Sequence, residues 1–178
     1  MEDSGAFQAM GKKQGDWFEE SSRRVLEDVG FTIDARRAVI ADAGVEVDII
    51  ATNRHSISFY FTCKGSWRGR RPGARRTDTF KKAVAEALML HAQGWGPVVL
   101  LTSHKPDTPA GRAMLANVDP EIMFDVIDPI QEAKRLQWLA AATEQELRQD
   151  LQQRRSLFRI ARPHRGFLPY RQAVDPAW

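Results

Sequence analysis

The residues best placed to do chemistry lie in two consecutive apolar segments. GVEVDIIA, from Gly44 to Ala51, and ISFYFTCKG, from Ile57 to Gly65, are rich in β-branched and aromatic residues and read as strands joined through a polar turn at Thr52 to Ser56. Alternate residues of a strand share a face. Val45, Val47 and Ile49 therefore point one way and Glu46 and Asp48 the other. In the second strand Phe59, Phe61 and Cys63 share a face, and Ser58, Tyr60, Thr62 and Lys64 share the opposite one. Pairing the two strands collects Glu46, Asp48, Thr62 and Lys64 on one side. Two carboxylates, a hydroxyl and an ammonium there form either the solvated face of an amphipathic hairpin or a polar site that handles charge. A third acid accompanies them. On a helix at 100° per residue, Glu19 sits at the edge of the stripe Phe18, Ser22, Val25, Leu26 and Val29, whereas Glu20 points away, so Glu19 is the one able to approach the sheet.

The surrounding pattern supplies the elements that must hold these residues. A helix is expected over Asp16 to Val29, stopped by Gly30, then strands over Phe31 to Ile40 and the two segments above. A helix follows from about Asp78 to Gln93, a short apolar strand at Pro97 to Ser103, a helix near Ala110 to Asn117, a strand near Met123 to Asp128, and a helix from Pro129 to Ala142. Thr143 with Glu146 reads as a capping box opening a last helix to about Ser156. This order predicts an α/β fold with a mixed central sheet flanked by helices and a C-terminal helical extension. The expected division is an N-terminal arm over residues 1–14, one domain over 15–142, and a basic helix with a proline-containing tail over 143–178.

Length and composition restrict the possibilities further. A chain of 178 residues suits one domain with a real core. A single cysteine allows neither an internal disulfide nor a cysteine-rich zinc site, and Met1 to Gly15 has no apolar stretch of signal-peptide length. No apolar run approaches the ~20 residues of a membrane helix, so no membrane partner and a reducing cytoplasm are expected. The net charge of +3 conceals a segregation. Between Lys64 and Lys82, eight basic residues face Asp78 alone, and between Arg148 and Gln172 seven face Asp150 alone, leaving the rest of the chain strongly acidic. Basic segments of this kind suit phosphate backbones, or are simply solvated surface.

The strings GDWFEE, VLEDVGF, GVEVDIIA and FYFTCKG, in this order from Gly15, resemble the PD-(D/E)XK nuclease superfamily, most closely the archaeal-type Holliday junction resolvases and Mrr-like restriction enzymes. The resemblance covers roughly Gly15 to Ser103. It implies a restriction-endonuclease-like core and metal-dependent endonucleolytic hydrolysis of DNA phosphodiesters, in restriction, phage defence or repair. It makes Glu19 an outer acid on the first helix, Asp48 the central ligand of Mg2+ or Mn2+, and Lys64 the lysine that orients or activates the water. One position departs from the pattern: Thr62 stands where the superfamily usually has an acidic or amide residue. Some restriction enzymes with Ser or Thr there recruit an acid from the following helix about fourteen residues past the lysine, which is the place of Asp78; its other reading is a helix N-cap. Glu86, two turns further, is a poorer candidate, and Glu46 a third source of the missing charge.

Phosphodiester cleavage concentrates negative charge on the phosphate, which hard cations on oxygen ligands offset. In the same reading Arg68, Arg70, Arg71, Arg75, Arg76, Lys81 and Lys82 grip backbone phosphates, and Trp67 stacks on a base or pins its own loop. The alternative, with Thr62 as its basis, is a nuclease-fold DNA-binding or regulatory subunit that does not cut. Cleavage of both strands would call for a symmetric homodimer, whose interface the sequence does not show; additional protein subunits also stay open. Other groups carry less. His55, His91, His104 and His164 are too dispersed for a zinc site, and His91 is expected to pack in the core on the stripe Phe80, Val84, Ala87, Leu88. Cys63 lies on the buried face without a base, Ser103 with His104 lacks a nucleophile elbow, and the glycines fit neither a dinucleotide fingerprint nor a P-loop. Trp138 is most simply core or interface.

Overall fold

The computed structural model describes residues 3–66 and 72–160. A five-stranded sheet in sequential order carries the chain: β1 (Thr32–Ile40), β2 (Val45–Thr52) and β3 (Ser58–Lys64) form an antiparallel meander, and β4 (Val98–Thr102) and β5 (Asp125–Ile127) continue parallel to β3. Helix α1 (Asp3–Val29) precedes the sheet, α2 (Thr77–Ala92) and α3 (Pro109–Leu115) make the parallel crossovers, and α4 (Ala133–Ala141) and α5 (Glu144–Ile160) follow.

Strand β4 explains the layering. All five of its residues are buried, because Val99 and Leu101 join the core beneath α1, α4 and α5 while Val98 and Leu100 join the core beneath α2. Phe18 and Leu26 of α1, Leu136 and Leu139 of α4 and Leu147 of α5 fill the first core, around Phe31 standing edge-on to Phe59 and Phe61 at 5.4 Å. Phe80, Ala83, Ala87 and Leu90 of α2 fill the second.

Several boundaries differ from the sequence expectation for identifiable reasons. Helix α1 begins at Asp3, so the expected arm is the first half of that helix. Residues 3–14 contain no proline and many good helix formers but only a weak apolar period, and Gly15, whose added Cβ would meet open space, does not interrupt the backbone. The helix stops where Gly30 takes φ +106° and the Phe31 amide returns to the Leu26 carbonyl at 2.9 Å, a Schellman closure. His91 is exposed: the buried stripe of α2 ends on Leu90, and its last turn carries His91 to solvent. The Thr143–Glu146 capping box forms, with the Thr143 amide on the Glu146 carboxylate at 2.8 Å. The tail from 161 onward lies outside the described residues.

Buried Asn53 ties the β2–β3 turn to the helical layer. Its Oδ1 accepts the amides of His55 and Ile57, and its Nδ2 donates to the carbonyls of Leu139 and Ala142 at 3.0 and 2.8 Å. Asn53→Ala strips four partners at once and is expected to destabilise the protein by about 2–4 kcal/mol in urea unfolding.

Candidate active site

The pairing of β2 with β3 runs only from Ile49 to Thr52; from Val45 to Asp48, β2 pairs with β1 alone. Two-stranded ribbons twist more than wide sheets, and Val45 and Val47 pack in the α2 core whereas Ile49 and Ala51 pack in the α1 core. The expectation that Val45, Val47 and Ile49 serve one face therefore holds for their burial but not for the core they enter. Asp48 stands at the fork. Its Oδ2 accepts the Cys63 amide at 2.6 Å, taking the place of the strand that has turned away from β3.

The face expected to hold Asp48, Thr62 and Lys64 is not a solvated hairpin surface, because α2 lies across it. Thr62 is 4% exposed, and the side chains of Asp48, Lys64 and Glu86 are 21%, 18% and 17% exposed. Lys64 Nζ lies 3.6 Å from Asp48 and 3.2 Å from Glu86. The Thr62 hydroxyl lies 3.4 Å from the Asp48 carboxylate and 3.2 Å from that of Glu86. Thus the two acids, one from β2 and one from α2, converge on the same hydroxyl and the same ammonium. Lys82, a turn before Glu86, lies 3.8 Å from its other oxygen. Burial draws the Lys64 pKa down, but the adjacent Asp48 and Glu86 carboxylates outweigh it and leave the pKa raised.

The other sequence candidates lie elsewhere. Asp78 is exposed in the first turn of α2, and the N-cap position belongs to Arg76. Glu46 is exposed in the β1–β2 ribbon opposite Val39. Glu19 is buried at 5% exposure but is held by two arginines of β1, with Arg36 at 3.1 Å and Arg37 at 3.0 Å. Consecutive strand residues ordinarily face opposite ways. Here Arg37 adopts φ 48°, a left-handed backbone that a non-glycine residue seldom takes, and both guanidinium groups reach Glu19, with Asp16 also on Arg37. In the register Arg37 lies between Arg36, opposite Ile49, and Ala38, opposite Val47, so it is the residue across from Asp48. The guanidinium of that residue is thus paired with Glu19 and Asp16. No sequence signal marked that pair. Glu86 had one: it flanks Ala83 and Leu90 on the buried side of α2, three and four residues away.

The segment after Lys64 is anchored at both ends. The Thr102 hydroxyl donates to the Lys64 carbonyl at 2.9 Å and accepts the Ala74 amide at 3.0 Å, and Ser103 Oγ bonds both the amide and carbonyl of Ser66. Gly65 must lack a side chain, since a Cβ there would sit 2.0 Å from the Phe18 ring. Trp67, Arg68, Arg70 and Arg71 lie outside the described residues. Arg75 is paired with Asp107, and Arg76, Lys81 and Lys82 are exposed at and after the start of α2. In the second basic segment, Arg148 pairs with Glu144, Arg154 with Asp150 at 2.8 Å and Arg155 with Glu121 at 2.8 Å, so these charges are met within the fold.

Among the described residues no group of three or more His, Cys, Asp or Glu side chains converges as a metal site. The set that does converge is two carboxylates and a hydroxyl, all hard oxygen donors. Magnesium is commonly held by only one or two carboxylates, with waters and substrate phosphate completing its shell, so this set suits it. Cys63, deprotonated, would add a soft ligand, but burial and the nearby Asp48 and Glu19 carboxylates push its thiol well above the ordinary range. Trp138 is half-buried under the Arg135 guanidinium, 4.4 Å from its ring centre. Among the described residues no helix is long and apolar enough to cross a membrane. No family model, curated protein or solved structure matches the chain.

Three outcomes follow. Cys63 is expected to react with a disulfide reagent at pH 8 far more slowly in the native protein than in urea. Gly65→Ala is expected to cost about 1–3 kcal/mol through overpacking against Phe18 and to displace Lys64, read as lowered thermal stability. Lys64 has a folded pKa raised above its ordinary 10.5, so its stabilising contribution is complete below that value and disappears as pH rises through the shifted one. The urea midpoints of wild type and Lys64→Gln should therefore converge in strongly alkaline solution.

Proposed function

We propose that the chain is a divalent-metal-dependent DNA endonuclease of the PD-(D/E)XK type, with Asp48 and Glu86 as the carboxylates that hold the cation. The observation that carries this reading is the convergence of Asp48 and Glu86 on Thr62 and Lys64, at the root of the arginine-rich segment that begins two residues beyond Ser66. Glu86 fills, from a helix, the charge that Thr62 leaves absent on the strand. Mg2+ or Mn2+ bound there would draw charge from the scissile phosphate and lower the pKa of the attacking water.

The protein's own residues supply the rest. The Cys63 amide fixes the direction of the Asp48 carboxylate, and the Thr62 hydroxyl fixes that of Glu86. Lys64, kept protonated by its two acidic neighbours, places positive charge beside the phosphate and orients the water. Arg68, Arg70 and Arg71 are proposed to hold backbone phosphates with Arg76 and Lys81, an interaction that fixes the DNA without reading its sequence. Glu19 serves in this account to pair Arg36 and Arg37 rather than to hold the cation. The second reading, a DNA-binding subunit that does not cut, draws on the same geometry: the Lys64 ammonium already spans both carboxylates and offsets part of their charge.

Supercoiled and branched DNA incubated with Mg2+ or Mn2+ should be cleaved by the wild type. Asp48→Ala, Glu86→Ala and Lys64→Ala should each lose about 100-fold or more in rate, while Asp78→Ala stays near wild type. Cleavage that survives Asp48→Ala contradicts the mechanism. Salt-sensitive binding without cleavage under either metal establishes the second reading instead.

A further inference from the structure

The carboxylate oxygens of Asp48 and Glu86 are not equally engaged. Asp48 Oδ2 is met by the Cys63 amide at 2.6 Å, the Thr62 hydroxyl at 3.4 Å and the Lys64 ammonium at 3.6 Å, and Glu86 Oε2 is met by the same hydroxyl and ammonium at 3.2 Å each. Those two oxygens are occupied from the sheet. Among the described residues nothing bonds Asp48 Oδ1, and Glu86 Oε1 meets only Lys82, at 3.8 Å. A cation joining the two carboxylates therefore finds its open ligands in Oδ1 and Oε1, and Lys82 stands against one of them.

Lys82 differs from Lys64 in its freedom. The Lys64 side chain is 18% exposed and set between both acids, whereas that of Lys82 is 74% exposed. Its contact with Glu86 is longer than a hydrogen bond and open to water, so it is loosely held. Helix α2 has little need of the pair, because a lysine four residues before a glutamate is the weaker order for helix stability. Arg76 and Lys81 are exposed on the same N-terminal half of α2, next to the arginine-rich segment, which makes a backbone phosphate the natural second partner for the Lys82 ammonium.

We infer that Lys82 is an exchangeable counter-ion of the site: its ammonium faces Glu86 Oε1 in the free protein, gives that oxygen up to the divalent cation, and moves to a phosphate of the DNA. The inference rests on the proposed nuclease site and adds to it a link between loading of the metal and grip on the substrate.

Two titrations of the full chain test it without any cleavage: Mn2+ by calorimetry in the absence of DNA, and a fluorescein-labelled DNA duplex by anisotropy in the absence of metal. Lys82→Gln should bind Mn2+ about threefold more tightly than the wild type, since one positive charge has left the approach of the cation. It should bind the duplex about threefold more weakly, with a salt slope smaller by about one. Lys82→Arg should keep both wild-type values, and Lys81→Gln should weaken duplex binding alone. If the wild type binds Mn2+ but Lys82→Gln binds it no more tightly, the inference is overturned and the site stands. Duplex binding that Lys82→Gln does not weaken overturns it as well, as does an equal gain in Mn2+ affinity from Lys81→Gln. A wild type that takes up no Mn2+ removes the site, and the inference with it.

Discussion

The arrangement depends on one hydrogen bond, from the Cys63 amide to the Asp48 carboxylate. Strand β2 joins β3 only from Ile49 onward, and a central strand that lacks a neighbour beyond that point has an amide that must be satisfied elsewhere. Asp48 satisfies it with a side chain in place of backbone. Doing so holds a carboxylate in a half-buried fork with its direction fixed and its remaining lone pairs free to meet Thr62 and Lys64. Separation of the strands opens room for those groups, and α2 closes the space by laying Glu86 across it.

Two charge networks meet at this fork without merging. On the α2 side, Asp48 and Glu86 share Lys64. On the α1 side, Glu19 shares Arg36 and Arg37, and Arg37 meets it from a left-handed backbone. A buried carboxylate needs paired, well-placed cations to be tolerated at all, and Glu19 has them on the edge strand. The cost of the left-handed residue is offset by that pairing. The bulge at Ile33 to Ala35 and the turned Arg37 also break the regular ladder of β1, which discourages edge pairing by another chain.

Much of the scaffold was legible in the sequence because each element has one dominant period. Phe59, Phe61 and Cys63 alternate with Tyr60, Thr62 and Lys64, and the unbroken apolar run of β4 signals burial on both faces. The start of α1 was not legible, since residues 3–14 have helix propensity without an apolar stripe. Within the site, Asp48, Thr62 and Lys64 could be brought together from strand alternation alone. Glu86 was harder: the spacing past Lys64 favours Asp78, and choosing between them requires the rotation of α2 on the sheet, which tertiary packing of Ala83 and Ala87 decides. The same rotation carries His91 outward. The pairing of Glu19 with two consecutive arginines was beyond any periodicity argument, because it rests on a backbone conformation that periodic patterns assume away.

The central claim is that Asp48 and Glu86, on separate elements, form one cation site with Lys64 beside it. Calorimetric titration of the intact protein with Mn2+ tests this most directly. The account predicts saturable binding in the wild type and in Asp78→Asn, and its loss in both Asp48→Asn and Glu86→Gln with the fold retained. Binding that is unchanged in Glu86→Gln would contradict it.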